Sequence, residues 1–337
     1  MKSILNLKNR VDIFSYGHIH LYLYLVGAYS KFLISGRALD FPLLLQVQTQ
    51  SSCNGQCSVC PYTVVSKKLP QGRMEWELFS KIADESASEP LLALFTCMLQ
   101  NEPLLDRRVF DCVKHFRSIS KDKKTCIVTN GELIDRYSIE EMIQSNLDYL
   151  VISLNTNSKD IYISMNNGLD YDRVMKNIST LLSNETIRRK VMLSFLITER
   201  NFQDVSQSLH YWHKKGVRTR AIEICNRAGS LNEYEKLRLK TGYYGSNFPS
   251  KLKGRLITRV MRVVGCHLPF YQMTVLFNGD VIICCHDWNR EVVVGNVKDS
   301  SLREIWNSER MNNIRRAMLR KKYREIDSCK DCSLVVC

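Results

Sequence analysis

The chain has 337 residues, 45% of them hydrophobic, which is enough for one large domain or for a domain plus a smaller one. Its 48 Lys and Arg against 34 Asp and Glu leave a net charge of +14, which excludes an acidic disordered chain and points towards anionic partners. Thirteen cysteines is a high and odd count, and no apolar stretch with a small-residue cleavage site follows Met1–Arg10. A secreted disulfide framework is therefore not expected; a cytoplasmic location is, with metal ligation as the leading use of clustered thiols.

In chain order, the first feature is the uncharged run Ile13–Ser30, "IFSYGHIHLYLYLVGAYS". Its two His, two Ser, two Gly and four Tyr suit a bilayer core poorly. Membrane contact through residues 11–35 is thus weighed below an amphipathic or core-covering segment, and the alternation in "IHLYLYL" leaves strand and helix open. From Pro42 onward six strand-like runs appear, at 43–49, 91–98, 124–129, 147–154, 190–197 and 220–225. Amphipathic helical segments such as "MEWELFSKIADES" and "YDRVMKNISTLLSN" separate them. That rhythm predicts right-handed βαβ units, a parallel sheet and a barrel-like α/β fold.

The rhythm stops after Cys225. Between Lys236 and Arg262 lie eight basic residues (Lys236, Arg238, Lys240, Lys251, Lys253, Arg255, Arg259 and Arg262) and no acidic one. They read as a solvated connector or as an attractor for an anionic substrate beside the barrel mouth. "YQMTVLFNGDVIICC" then predicts a hairpin about Asn278-Gly279, "SLREIWNSERMNNIRRAMLRKK" a single helix, and "CKDCSLVVC" closes the chain. The organisation expected is an N-terminal extension (1–41), a barrel (42–235), a basic connector (236–265) and a small cysteine-bearing domain (266–337).

Cys53, Cys57 and Cys60 follow the first strand with the spacing C-x3-C-x2-C. Three thiolates can hold three corners of a four-iron cluster and leave the fourth iron open to a ligand. The alternatives are zinc or scattered core cysteines. Zinc needs a fourth ligand, and none stands out in 45–75.

"CNGQCSVC" after a first strand, followed in order by "NEPLL" (101–105), "VTNG" (128–131), "VISLN" (151–155) and "NRAG" (226–229), resembles the radical S-adenosylmethionine (SAM) superfamily over about residues 42–337. The resemblance implies a partial (βα)6 TIM-like barrel, a SAM-binding [4Fe-4S] cluster on Cys53, Cys57 and Cys60, and SAM held near Asn101, Glu102, Ser153 and Asn166. It implies reductive cleavage of SAM, hydrogen-atom abstraction from a substrate carbon, and an electron donor such as flavodoxin or ferredoxin. Four positions depart from the family's pattern: Gln100 and Asn101 stand where two glycines are usual, Val59 where an aromatic is usual, and Asn166 or a neighbour where an arginine is often found.

Cys266, Cys284, Cys329 and Cys332 are separated by 18, 45 and 3 positions, and "GNVKDSSLREIWNSERM" lies among them. This is similar to the SPASM extension in a short, twitch-like form, which implies a second, auxiliary [4Fe-4S] cluster on those four residues; a structural zinc ribbon is the alternative. Cys285 and Cys337 stay outside that ligand set, with an exchange of roles left open. Cys97, Cys112, Cys126 and Cys225 read as core thiols. His267 and His286 flank cluster cysteines. Asp287 is a candidate general base for an oxidation, or else a turn-capping residue. Cys285 is a candidate hydrogen-atom donor for an epimerisation, or else a packing thiol. The substrate expected is a small molecule, anionic or sugar-like; modification of a ribosomal peptide is the alternative. The competing class is a non-catalytic iron–sulfur protein that binds nucleic acid or acts as a scaffold, supported only by the charge.

Overall fold

The computed structural model describes residues 19–240 and 266–336. Six strands, β1 (Leu44–Val47), β2 (Leu94–Thr96), β3 (Lys124–Thr129), β4 (Tyr149–Ser153), β5 (Val191–Ile197) and β6 (Arg218–Glu223), pair in parallel in sequential order. Helices α1 (Ile19–Ser35), α2 (Trp76–Ala87), α3 (Val109–Ile119), α4 (Ile139–Gln144), α5 (Tyr171–Ser183) and α6 (Phe202–Lys214) lie along the same chain, α2 to α6 as crossovers between strands. The strand positions Ile127, Leu150, Ile152, Leu193 and Phe195 are fully buried in the core shared with the helices. Alternate positions face the other way. There Ser194, paired with Ser153 of β4 and Arg220 of β6, accepts a hydrogen bond from Arg220 Nε at 3.0 Å. This is the partial α/β barrel that the rhythm of the sequence predicts. Helix starts are fixed by local chemistry: Ser138 and Glu141 form a capping box on α4, and Asp170 accepts from the backbone of Asp172 and Arg173 on α5.

The chain's C-terminal part continues this sheet. β7 (Gln272–Val275) pairs in parallel with β1, and β8 (Asp280–Ile282) and β9 (Val293–Asn296) follow antiparallel, giving the order β6-β5-β4-β3-β2-β1-β7-β8-β9. β7 covers the backbone edge that β1 would otherwise leave unpaired. The turn from β7 to β8 is longer than a two-residue Asn-Gly hairpin. Gly279 N–H closes a turn on Leu276 O, and Gly279 then takes φ +94° while Leu276 N–H bonds Asp280 O. That is a type I turn followed by a left-handed glycine, the geometry of three-residue hairpin loops.

The expected single C-terminal helix is two, α7 (Leu302–Asn307) and α8 (Glu309–Leu319). Ser308 leaves the helical region at ψ 153° and its hydroxyl caps Met311 N–H of the second. The buried Trp306 of α7 donates to Leu39 O at 2.7 Å, so this region packs on the segment entering β1.

α1 settles the helix-or-strand question for residues 19–35. Tyr24, Leu25, Ala28, Tyr29 and Phe32 form its buried face, with Tyr29 and Phe32 against the Phe270 ring at 4.4 and 5.5 Å. Among the described residues no helix is long and apolar enough to cross a membrane. Of the basic stretch, Lys251, Lys253, Arg255, Arg259 and Arg262 lie outside the described residues, as does Cys337. Lys236 and Arg238 pair with Glu233 and Glu235 at 3.6 and 2.6 Å.

Candidate active site between two cysteine groups

The first group sits past the C-terminal end of β1, the face on which barrel folds carry chemistry. Its loop is fastened along its whole length. Gln50 donates to Ser52 O and Glu102 O, Cys53 N–H donates to Tyr62 Oη at 2.9 Å, and Gln56 and Ser58 donate to Asn167 O and Met165 O. Asn54 bridges Asn130 and Glu132 of the loop after β3. Burial pushes the Cys53 thiol up to about 12 and raises those of Cys57 and Cys60 as well; the charge of Cys60 works in the same direction on Cys53 and Cys57. The three thiols sit on one short loop past β1.

Cys266, Cys284, Cys285, Cys329 and Cys332 form the second group. Burial pushes Cys266 up to about 12, with Cys332 and Cys285 adding to the rise; Cys284 is raised by burial and then by Cys285, Cys266 and Cys329. Cys329 is raised by burial and then by Cys266 and Cys332. Cys285 is half-buried; burial opposes its ionisation, yet His286 and Gln272 bring its thiol down.

The donor set tests whether iron–sulfur clusters suit these groups. The backbone N–H of Gly55 donates to Cys53 Sγ at 3.4 Å, a donor of the kind that serves a metal-bound thiolate. Among the described residues no three His, Cys, Asp or Glu side chains are arranged to hold a single metal ion. Thiolate sets of this kind suit iron–sulfur clusters and zinc alike. The residues present fit the clusters.

The expected SAM contacts flank the first group. Glu102 is buried, and its carboxylate accepts from Thr129 Oγ1 (2.6 Å), Asn130 N–H (2.8 Å) and Leu104 N–H (3.1 Å). Burial lifts it to about 7 against those hydrogen bonds. Asn101 accepts from Leu99 N–H, and Asn166 from Asn155 Nδ2, but the Nδ2 group of each is buried without a partner. An unpaired buried amide is costly, and two of them beside the cysteine loop fit a ligand that brings acceptors such as a carboxylate. Ser153 ends β4 on the lumen side, opposite Ser194. Val59 packs with Met165, Ile224, Leu231 and Leu237.

Gln100 and Cys225 reach the second group, and the sequence reading missed their roles. Gln100 has φ +52°, a left-handed backbone that explains why glycine is usual there. Its amide donates to Cys285 O and Asp287 O, at 3.4 and 2.9 Å, tying the end of β2 to the second group. Cys225 is not a core thiol like Cys97, Cys112 and Cys126, which are fully buried or nearly so. It lies just past β6 with Sγ 3.5 Å from His286 Nδ1. Burial opposes ionisation there, yet Arg227 and His286 bring its thiol down to about 6. The sequence signals were a non-glycine at a glycine position and a cysteine at a strand's C-terminal end.

Asp287 lies near Cys329, and each of its oxygens accepts a backbone N–H at 3.0 Å, from Glu291 and from Val292. It thus holds the turn that follows Cys284 and Cys285. His267 is half-buried and stacked on Tyr271, and its imidazole is pushed down to about 4, first by desolvation and then by His286.

Residues 47–211 match the model of the Radical SAM superfamily, and residues 266–333 that of SPASM, an iron–sulfur cluster-binding domain. The chain is 20% identical over 293 residues to S-adenosyl-L-methionine-dependent 2-deoxy-scyllo-inosamine dehydrogenase of Niallia circulans, covering 87% of this chain and 93% of that one. BtrN in complex with AdoMet and 2-DOIA shares the fold with a TM-score of 0.59 at 18% identity, over 87% of this chain and 93% of that one. SuiB of Streptococcus suis, bound to the precursor peptide SuiA, shares it with a TM-score of 0.65 at 16% identity, over 92% and 73%.

Proposed function

The chain belongs to the radical SAM superfamily and carries a SPASM domain, and on that premise we propose that it catalyses the two-electron oxidation of a small hydroxylated substrate. Bound SAM and its [4Fe-4S] cluster supply reductive cleavage and hydrogen-atom abstraction, and an auxiliary iron–sulfur centre accepts an electron. Cys53, Cys57 and Cys60 hold the first cluster. Asn101, Glu102, Ser153 and Asn166 orient SAM. Cys266, Cys284, Cys329 and Cys332 hold the auxiliary one.

The observation that carries this reading is the tie between the second cysteine group and the strand end that bears Glu102, where Gln100 donates to Cys285 O and Asp287 O. It supports an electron acceptor beside the site. The resemblance to a dehydrogenase of a cyclic amino alcohol over nearly its whole length supports the same reaction class. The anionic or sugar-like nature of the substrate is part of this proposal, as is supply of electrons by a flavodoxin or ferredoxin.

A second reading is redox-neutral epimerisation, favoured by one observation: Cys285 is only half-buried, whereas its neighbour Cys284 is buried. In that reading Cys285 gives a hydrogen atom to the substrate. In the oxidation Asp287 takes a proton, a role limited by its two backbone hydrogen bonds.

The test uses reconstituted enzyme, SAM and candidate substrates deuterated at carbon. Oxidation predicts deuterium in 5′-deoxyadenosine, a product lighter by two hydrogens, and turnover that survives Cys285→Ala. A product of unchanged mass that takes deuterium from heavy water would overturn oxidation in favour of epimerisation.

A further inference from the structure

Asn226-Arg227-Ala228-Gly229 leaves β6 through three consecutive left-handed residues, with φ of +52°, +54° and +81° at Arg227, Ala228 and Gly229. Glycine adopts that region freely; Arg and Ala do not. Such strain persists where the surroundings impose it.

The surroundings here are residues 331–333, next to Cys332. Asn226 N–H donates to Ser333 Oγ at 3.0 Å, Ser333 N–H donates to Asn226 Oδ1 at 2.9 Å, and Asn226 Nδ2 donates to Asp331 O. Within the turn, Ser230 N–H bonds Arg227 O and Leu231 N–H bonds Asn226 O, both at 3.1 Å. A Cβ on Gly229 would stand 3.3 Å from Asp331 Cβ. The turn and the loop are thus locked face to face.

Locking brings the Arg227 guanidinium to the second cysteine group, with Nη1 3.4 Å from Nδ1 of His286, two residues past Cys284.

We propose that the strained 226–229 turn sets the reduction potential of the auxiliary iron–sulfur centre. Asn226 fixes the loop that bears Cys332. Arg227 provides a positive charge beside the turn that follows Cys284. Cluster potentials depend on nearby charge. Adding an electron makes a cluster more negative, so a fixed cation favours the reduced form and raises the potential. This role rests on the auxiliary cluster site and not on which substrate is oxidised.

The test is an EPR-monitored redox titration of reconstituted enzyme, repeated in the Cys57→Ala chain to isolate the auxiliary centre. Arg227→Gln should lower the auxiliary midpoint potential, and Arg227→Lys should keep it near the native value. An unchanged auxiliary potential in Arg227→Gln would overturn the role of its charge. Should the Gln variant lose iron, Arg227→Asn carries the same reading, because Asn tolerates the left-handed region. Asn226→Ala should lose auxiliary iron and keep the first cluster; full iron retention with an unmoved auxiliary potential would overturn the clamp.

Discussion

Cys53, Cys57 and Cys60 share a loop of eight residues, whereas Cys266, Cys284, Cys329 and Cys332 come from three stretches of chain that only the fold brings together. The first group needs its own loop and the neighbours that stitch it down. The second needs β7 against β1, the β8 turn, the two C-terminal helices and the turn after β6 to be right at once. A locally encoded site should tolerate changes in distant packing; an assembled one should not.

The sharpest way to break this comparison is Cys57→Ala. It should abolish 5′-deoxyadenosine formation, a loss of more than about a thousandfold, while the auxiliary irons stay, as chromatography and an iron assay would read. Loss of both sets of iron would mean that the two groups are not independent.

Arg315→Ala is next. This buried arginine donates to Pro269 O (2.9 Å), Trp306 O (2.8 Å) and Asn312 Oδ1 (2.7 Å) and stacks on the Trp306 ring at 4.1 Å. Its loss leaves buried acceptors unpaired and should cost about 3 kcal/mol in thermal unfolding. Auxiliary iron should fall with it, and SAM cleavage in the absence of substrate should fall less. Equal losses at the two centres would erase the contrast.

Gly279→Ala should cost about 1–2 kcal/mol, because a side chain at φ +94° is strained and its Cβ would meet Asn296 Oδ1 at 2.8 Å. The same two readouts apply, and unchanged stability would contradict the turn described here. Gln100→Gly has the smallest expected effect. It removes two hydrogen bonds worth about 1 kcal/mol each but relieves a left-handed side chain of similar cost, for a net loss of about 1 kcal/mol. A shift in the auxiliary EPR signal without a change in the first would show Gln100 acting as the tie between β2 and the second group.

The contrast also explains what the sequence disclosed. All six barrel strands stand where apolar runs alternate with amphipathic helices, because period and burial are local signals. The parallel pairing of β7 with β1 joins residues more than two hundred positions apart and leaves no local trace. The break at Ser308 is a capping serine inside a helical pattern, and a periodicity reading runs through it. The candidate ligands Cys53, Cys57 and Cys60 are marked by their spacing together with the family resemblance it carries. Gln100 and Arg227 are not, because what matters at each is a backbone conformation imposed by a distant partner.

The most direct test of two separate centres is the count of iron and acid-labile sulfide in three anaerobically reconstituted chains. The native chain should hold about eight irons and eight sulfides, as two four-iron clusters require. Cys53→Ala with Cys57→Ala and Cys60→Ala should hold about four, and Cys329→Ala with Cys332→Ala about four of the other kind, still able to cleave SAM. About four irons in the native chain, or stoichiometric zinc without sulfide, would contradict the account.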